Sequence, residues 1–182
     1  MGRRGENLTE IQAAVTTAQH ILEVARVTGV LVVHVRAQYG PTDGSDARIA
    51  AELQAGSSEC CVPGTWGAEF MTEVTPNPNE PVVIKHRFSG FVDTELDKLL
   101  RANRISSLVV VGVATQCCVE CTVRDGALRD YYVVVPRDAV AARGRMRHLH
   151  DASLETMGLY FADIRTGDEV CSVWMNAQRL VA

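Results

Sequence analysis

Four short β-branched runs, alternating with helical patterns, constrain this chain more than any other feature. They are VLVVHV at residues 30–35, PVVIK at 81–85, LVVVGV at 108–113 and YVVVP at Tyr132–Pro136. Apolar and polar residues alternate little within them, as in strands covered on both faces of a sheet. Ahead of the first run, Leu8, Ile11, Val15, Ala18, Leu22 and Ala25 recur at alternating steps of three and four. That spacing predicts a helix with one apolar face, with Asn7 or Thr9 as its cap and Gly29 as its stop. Further helices are expected over residues 47–53, 94–102 (Leu96, Leu99 and Leu100 inward), 118–128 and 145–160. A short edge strand is expected over 162–166. Between 37 and 80 the pattern is irregular. Gly40-Pro41, Asp43-Gly44 and Pro63-Gly64 mark turns there, and 75–81 is a polar, proline-rich connection. Strands alternating with helices predict a three-layer α/β domain, a parallel sheet flanked by helices and joined by right-handed crossovers. With 182 residues and no internal repeat, a single domain over 1–182 is the simplest organisation.

Composition narrows the partners. The net charge is −4 with no basic stripe, which argues against a nucleic-acid partner, because phosphate binding needs clustered Lys and Arg. The longest apolar runs are strand-sized, so no membrane span is expected. The opening MGRRGENLTE carries charges with no apolar stretch behind them and fits neither a secretory signal nor a myristoylation site. The six cysteines, Cys60, Cys61, Cys117, Cys118, Cys121 and Cys171, are therefore expected as free thiols in the cytosol. A zinc site is the alternative. Cys118 and Cys121 have a usable spacing, but Cys60 and Cys61 are adjacent and do not.

In an open parallel sheet, ligands bind beyond the carboxyl ends of the strands. After the run at 81–85 comes KHRFSGF, beginning with Lys85. After the run at 108–113 comes ATQCCV, which delivers Cys118 to a helix start. There the helix dipole and free N–H groups stabilise a thiolate, and a nearby ammonium lowers the thiol pKa further. The same N–H groups suit a developing oxyanion, so the arrangement favours nucleophilic attack on a carbonyl. The residues alone leave a second reading open, in which Cys118 is a buried structural cysteine.

The segment GVATQCCVECTVRDGALRDY resembles the nucleophile motif of the isochorismatase-like cysteine hydrolases, Gly-x-x-Thr-x-x-Cys-Val followed by a helix bearing Thr and Arg-Asp. VVIKHRFSGF resembles the lysine motif of that family, and GTWGAE at residues 64–69 the segment before it. The resemblance extends over nearly the whole chain and implies the family's α/β fold. It implies Cys118 as nucleophile and Lys85 as catalytic lysine. It also implies a cis bond between Val113 and Ala114 that aims the Ala114 and Cys118 N–H groups at one oxyanion.

One departure stands out. Members of that family open with an apolar strand ending in aspartate, lying between the strands represented here by 30–35 and 108–113. The aspartate orients the lysine and takes the thiol proton. This chain starts at the first helix, so the first strand is expected to be absent, through a misassigned start, a truncated gene or a degenerate relative. Asp43 and Asp46 follow a different strand and are poor substitutes. Losing such a base costs about 10²–10⁴ in rate.

The remaining candidates carry paired readings. Trp66 and Phe88 either wall a substrate pocket or anchor loops, and Thr115 belongs to the same candidate pocket. Arg87 either binds a substrate carboxylate or holds its loop through a backbone carbonyl. Cys117 and Cys121 pack the nucleophile helix. His148 and His150, two apart on a helix, point in different directions and are read as surface or packing residues. Arg124 and Asp125 read as a structural ion pair. No Asp-x-His of the nicotinamidase type occurs, so neither metal nor cofactor is expected. The implied function is hydrolysis of a small amide, ureido or carbamoyl compound through a thioester, by a homo-oligomer. KHRFSGF and GTWGAE look more like the carbamoyl and ureido amidohydrolases than the nicotinamidases. The alternatives are hydrolysis of an isochorismate-type vinyl ether, and a catalytically impaired homologue that binds a ligand or partner.

Overall fold

A computed structural model describes residues 8–40, 47–56 and 61–180. The expected elements are present, with shifted boundaries and two additions. In chain order they are α1 (Thr9–Thr28), β1 (His34–Ala37), α2 (Ala47–Gln54), β2 (Val82–Lys85), α3 (Leu96–Ala102), β3 (Ser107–Val109), β4 (Gly112–Val113), α4 (Glu120–Ala127), β5 (Tyr132–Pro136), β6 (Val140–Ala141), α5 (Arg147–Tyr160), β7 (Asp163–Arg165) and α6 (Gly167–Arg179). All strand pairs are parallel, giving the expected α/β class.

α1 buries Ala14, Val15, Ala18, Ile21, Leu22 and Ala25, and Gly29 ends it with a left-handed backbone, φ 72°. Of the proposed caps, Asn7 lies outside the described residues. Thr9 is already the first helical residue, and Leu8 takes the cap position without a side-chain bond. The unforeseen α6 is built by a reciprocal capping box between Thr166 and Glu169. It starts so close to α1 that a Cβ on Gly167 would meet Thr17 Cγ2 at 2.7 Å. The main core gathers Val83, Phe91, Leu96, Val123, Val133, Val135 and Met157, the last fully buried.

The sheet is in pieces. β1 pairs with β2, with Ala37 opposite Lys85, while β3, β5 and β7 form a second ladder and β4 and β6 a third. The last two are one kinked run. The expected strand 108–113 breaks between Val109 and Gly112, the latter with φ 127°, and its halves pair with successive parts of the chain from Tyr132 to Ala141. The expected strand 30–35 becomes His34–Ala37, because residues 30–33 have no ladder partner and extended backbone counts as a strand only when paired. An apolar slot of about 320 Å³ separates the pieces. Val30, Leu31, Val32, Val33 and Val35 line one side and Leu108, Val109, Val110 and Val111 the other. These are the two segments between which the resemblance implies a further strand.

Among the described residues no strand joins β1 to β3, and the β1–β2 pair is fastened partly from outside by Glu80. Its carboxylate accepts from Arg26 Nε at 2.7 Å, from Arg26 Nη2 at 2.8 Å and from the Asn77 amide at 2.8 Å. His34 Nε2 lies 2.8 Å from Oε2. One side chain thus ties α1, the connection into β2, and β1. The Arg26 guanidinium foremost, then the Asn77 and His34 contacts, hold the Glu80 carboxyl down at about 2, against the opposing effect of burial. A depressed carboxyl pKa stabilises the fold fully above the unfolded value of 4.5 and loses that effect as pH falls through about 2. Glu80→Gln should therefore lower stability by about 1–3 kcal/mol near neutrality. Melting of both proteins across pH should show the difference closing as pH falls through that window; a difference constant with pH would contradict the assignment.

Candidate active site

Lys85 is the last residue of β2, and Cys118 follows β4 by five residues, so both stand at the carboxyl ends of parallel strands. Lys85 is 4% exposed, and its ammonium has three protons to place. Nζ donates to the Arg87 carbonyl at 2.8 Å, to the Phe88 carbonyl at 2.7 Å and to Cys118 Sγ at 3.3 Å. Among the described residues no carboxylate bonds to it. Asp43 and Asp46, weighed as substitutes, lie outside the described residues, as do Cys60 and the Gly40-Pro41 and Asp43-Gly44 turns in part or whole.

Cys118 sits in a π-helical turn, Thr115–Val119, that runs into α4, and not in the first turn of a regular α-helix. The Cys117 and Val119 amides both donate to the Ala114 carbonyl, at 3.1 and 3.3 Å, the second bond spanning the wider π-type turn. The Val113–Ala114 bond is cis. A relay fastens this turn to the lysine loop: the Gly90 amide donates to Thr122 Oγ1 at 2.9 Å, and Thr122 Oγ1 donates to the Cys118 carbonyl at 2.7 Å. Thr115 is fully buried, with its Oγ1 2.8 Å from His150 Nδ1. His150 is thus a buried packing partner of the turn, while His148 is exposed. Gln116 Nε2 contacts Met146 Sδ at 3.2 Å from the other side.

The electrostatics single out one thiol. Cys118 is lowered to about 6, first by a hydrogen bond from the Cys117 thiol, then by the charge and hydrogen bond of Lys85 and by Tyr39; burial opposes the shift. Cys117 moves up, because ionising it would break the bond it donates and because it is buried. Cys121 moves up through burial and the neighbouring Cys118 charge.

The other candidates are placed unequally. The Phe88 and Arg87 carbonyls hold Lys85, while the Arg87 guanidinium turns to the His86 carbonyl at 3.1 Å and holds its own loop. Phe88 is 38% exposed, and Trp66, in the turn Trp66–Ala68, is 79% exposed. The expected pair of Arg124 with Asp125 is not formed. Neighbours on a helix diverge, so Arg124 Nε bonds Glu120 at 3.0 Å and Asp125 takes Arg129 at 3.5 Å, each four residues away. Sequence reasoning gave Thr122 only as the Thr of the nucleophile motif and did not single out Tyr39. Tyr39 lies two residues beyond β1, where the rule that found Lys85 and Cys118 also points.

A family model described as the isochorismatase domain matches residues 2–169. The ureidoacrylate amidohydrolase RutB of Acinetobacter baylyi is 29% identical over 97% of this chain and 77% of its own length. RutB of Cronobacter sakazakii is 46% identical over a shorter stretch, 44% of this chain and 35% of that protein, so with this relative the match spans about a third of its length. Among solved structures, a cysteine hydrolase from Pseudomonas syringae pv. phaseolicola superposes with a TM-score of 0.84 at 27% identity, covering 93% of this chain and 83% of that one. The N-carbamoylsarcosine amidase of Thermoplasma acidophilum gives 0.74 at 30% identity, over 87% and 85%.

Brief iodoacetamide treatment near neutral pH, followed by peptide mapping, should label Cys118 well ahead of Cys117 and Cys121. Even labelling, or labelling centred on Cys117, would contradict the assignment.

Proposed function

The chain belongs to the isochorismatase family, and we propose that it is a cysteine hydrolase of C–N bonds in small ureido or carbamoyl compounds, with Cys118 as nucleophile and Lys85 as its proton carrier. The observation that carries this reading is the 3.3 Å contact between Lys85 Nζ and Cys118 Sγ, with the other two ammonium protons on the Arg87 and Phe88 carbonyls. Among the described residues Cys118 is the one group on this buried cation that can become an anion, and the ammonium lowers its thiol pKa.

The chemistry is that of the pair. The Cys118 thiolate attacks the substrate carbonyl carbon, a C–S bond forms, and the carbonyl electron pair moves onto oxygen. The Ala114 and Cys118 N–H groups receive that oxyanion. As it collapses, the C–N bond breaks and the leaving amine takes a proton from Lys85, leaving a thioester and a neutral lysine. Water then attacks the thioester carbon, Lys85 accepts the water proton, and the thiolate departs with the electron pair of the C–S bond. The relatives named for ureidoacrylate and for N-carbamoylsarcosine support the substrate class. Cys118→Ser and Lys85→Gln should each lower kcat for ammonia release from ureido and carbamoyl compounds by at least about 100-fold. Retention of activity in either variant would overturn the mechanism.

The absence of a carboxylate on Lys85 among the described residues favours a second reading, an impaired homologue that binds the same compounds without turning them over. The slot between β1 and β3 bears on the choice. We propose that it seats a further parallel strand, whose terminal aspartate would reach Lys85. A form of the protein extended ahead of Met1 by an apolar strand ending in aspartate should melt higher and turn over faster than the 182-residue chain. Equal melting temperatures and equal rates would contradict the proposal. A cytosolic, homo-oligomeric setting belongs to the same reading. It is supported by Cys117, Cys118, Cys121 and Cys171, none of which forms a disulfide, and by Leu159 and Tyr160, both exposed at the end of α5.

A further inference from the structure

We propose that His150 is a positioning residue of the nucleophile turn, its ring holding Thr115 so that Cys118 stays within reach of Lys85. The inference rests on the reading of Cys118 as nucleophile. His150 lies on α5, apart from the strands that lead to Lys85 and Cys118. Met146, the cap of α5, His150 and Ser153 follow one another at steps of four and three, so they share one face of the helix. Each is bonded to the segment around Cys118. Gln116 Nε2 meets Met146 Sδ at 3.2 Å, Thr115 Oγ1 lies 2.8 Å from His150 Nδ1, and Ser153 Oγ donates to Glu120 Oε2 at 2.6 Å.

Of these three bonds, the one to His150 is buried at both ends. A polar group in such a place keeps its partner, because water cannot replace it. Thr115 is β-branched and has few rotamers, so fixing its hydroxyl fixes its backbone. That backbone opens the turn. The Ala114 carbonyl just before it takes the Cys117 and Val119 amides, and the Thr115 carbonyl takes the Glu120 amide. Cys118 lies inside these bonds. From the other side, Thr122 ties the Cys118 carbonyl to the lysine loop. The turn is thus held between α5 and that loop. Loss of the hold on α5 lets the 3.3 Å contact between Lys85 Nζ and Cys118 Sγ lengthen.

The charge state of His150 suits this task. Burial pushes its pKa below the ordinary value; among the charged groups around it, Arg147 acts with burial, while Asp151 and Glu10 act against it. The neutral ring has one N–H and one lone pair, so with the Thr115 hydroxyl it makes one bond in either tautomer. His150 moves no proton in the reaction and acts only through Thr115. Its loss is therefore read at the sulfur. With the ammonium farther away, the Cys118 thiol is harder to ionise.

Three variants separate the bond from the bulk of the ring. His150→Leu removes the ring nitrogens, and His150→Asn keeps a polar atom near the place of Nδ1. Thr115→Val removes the hydroxyl at the other end with little change of shape, and it carries the test alone if His150→Leu does not fold. Near-ultraviolet circular dichroism with a melting curve checks folding. The test is the pH dependence of Cys118 alkylation by iodoacetamide. The wild-type inflection is expected near 6. In His150→Leu and Thr115→Val it should move up by about one pH unit, which slows alkylation at pH 6 by about fivefold, and His150→Asn should restore most of the wild-type rate. A role in stability alone lowers the melting temperature and leaves the inflection in place. That result in folded His150→Leu or Thr115→Val would overturn the positioning role and spare the nucleophile, as would equal shifts in His150→Leu and His150→Asn. A wild type in which Cys118 shows no inflection near 6 would overturn the reading on which both rest.

Discussion

The structure of this site depends on a buried ammonium. Lys85 ends a strand of the sheet, is almost wholly removed from water, and meets two carbonyls and one sulfur. A charge in that position is tolerated only if its donors are used and a counter-charge lies close. The carbonyls use two protons and leave Cys118 to supply the charge. On the proposed reading it does so as a thiolate, which the Cys117 hydrogen bond and the ammonium both favour. Thr122 clamps the turn behind the sulfur to the loop behind the ammonium. Thr115 and His150 fill the space beneath, and the Cys117 thiol donates toward Cys118.

The same pair explains why a divided sheet still forms a site. β2 carries Lys85 and pairs with β1; β4 carries the turn to Cys118 and pairs with β6. Among the described residues the two halves share no ladder, and an apolar slot lies between them. What joins them at the carboxyl edge is the Lys85–Cys118 contact and the Gly90–Thr122 relay. At the other end of β1, Glu80 fastens the half-sheet to α1. The geometry of the site therefore rests on polar contacts at a place where backbone pairing is missing.

Much of this is legible in the residues. The run Tyr132–Pro136 keeps its expected bounds because both its neighbours are present and its β-branched residues leave no alternative. The run at 30–35 slides to His34–Ala37 because propensity marks extended residues, while only a partner makes a strand. α6 escapes a reading by periodicity although Thr166 and Glu169 announce it, a capping signal that periodicity alone does not weigh. Lys85 and Cys118 are recognisable because each lies at or just past the carboxyl end of a strand. Tyr39 holds the equivalent place past β1, but nothing in the sequence shows that its hydroxyl ends up buried without a hydrogen-bond partner. The pairing of Arg124 with Asp125 fails for a simpler reason: adjacent residues on a helix do not face each other.

The central claim is that Lys85, together with the Cys117 hydrogen bond, lowers the pKa of Cys118, and thiolate absorbance in the ultraviolet measures it without any substrate. Titrating the protein and its Lys85→Gln variant, with Cys118→Ser to identify the signal, separates this sulfur from the other thiols. The account predicts one thiolate appearing near pH 6 in the wild type, absent from Cys118→Ser and displaced upward by at least about one unit in Lys85→Gln. A titration that Lys85→Gln leaves unmoved, or one that persists in Cys118→Ser, would contradict it.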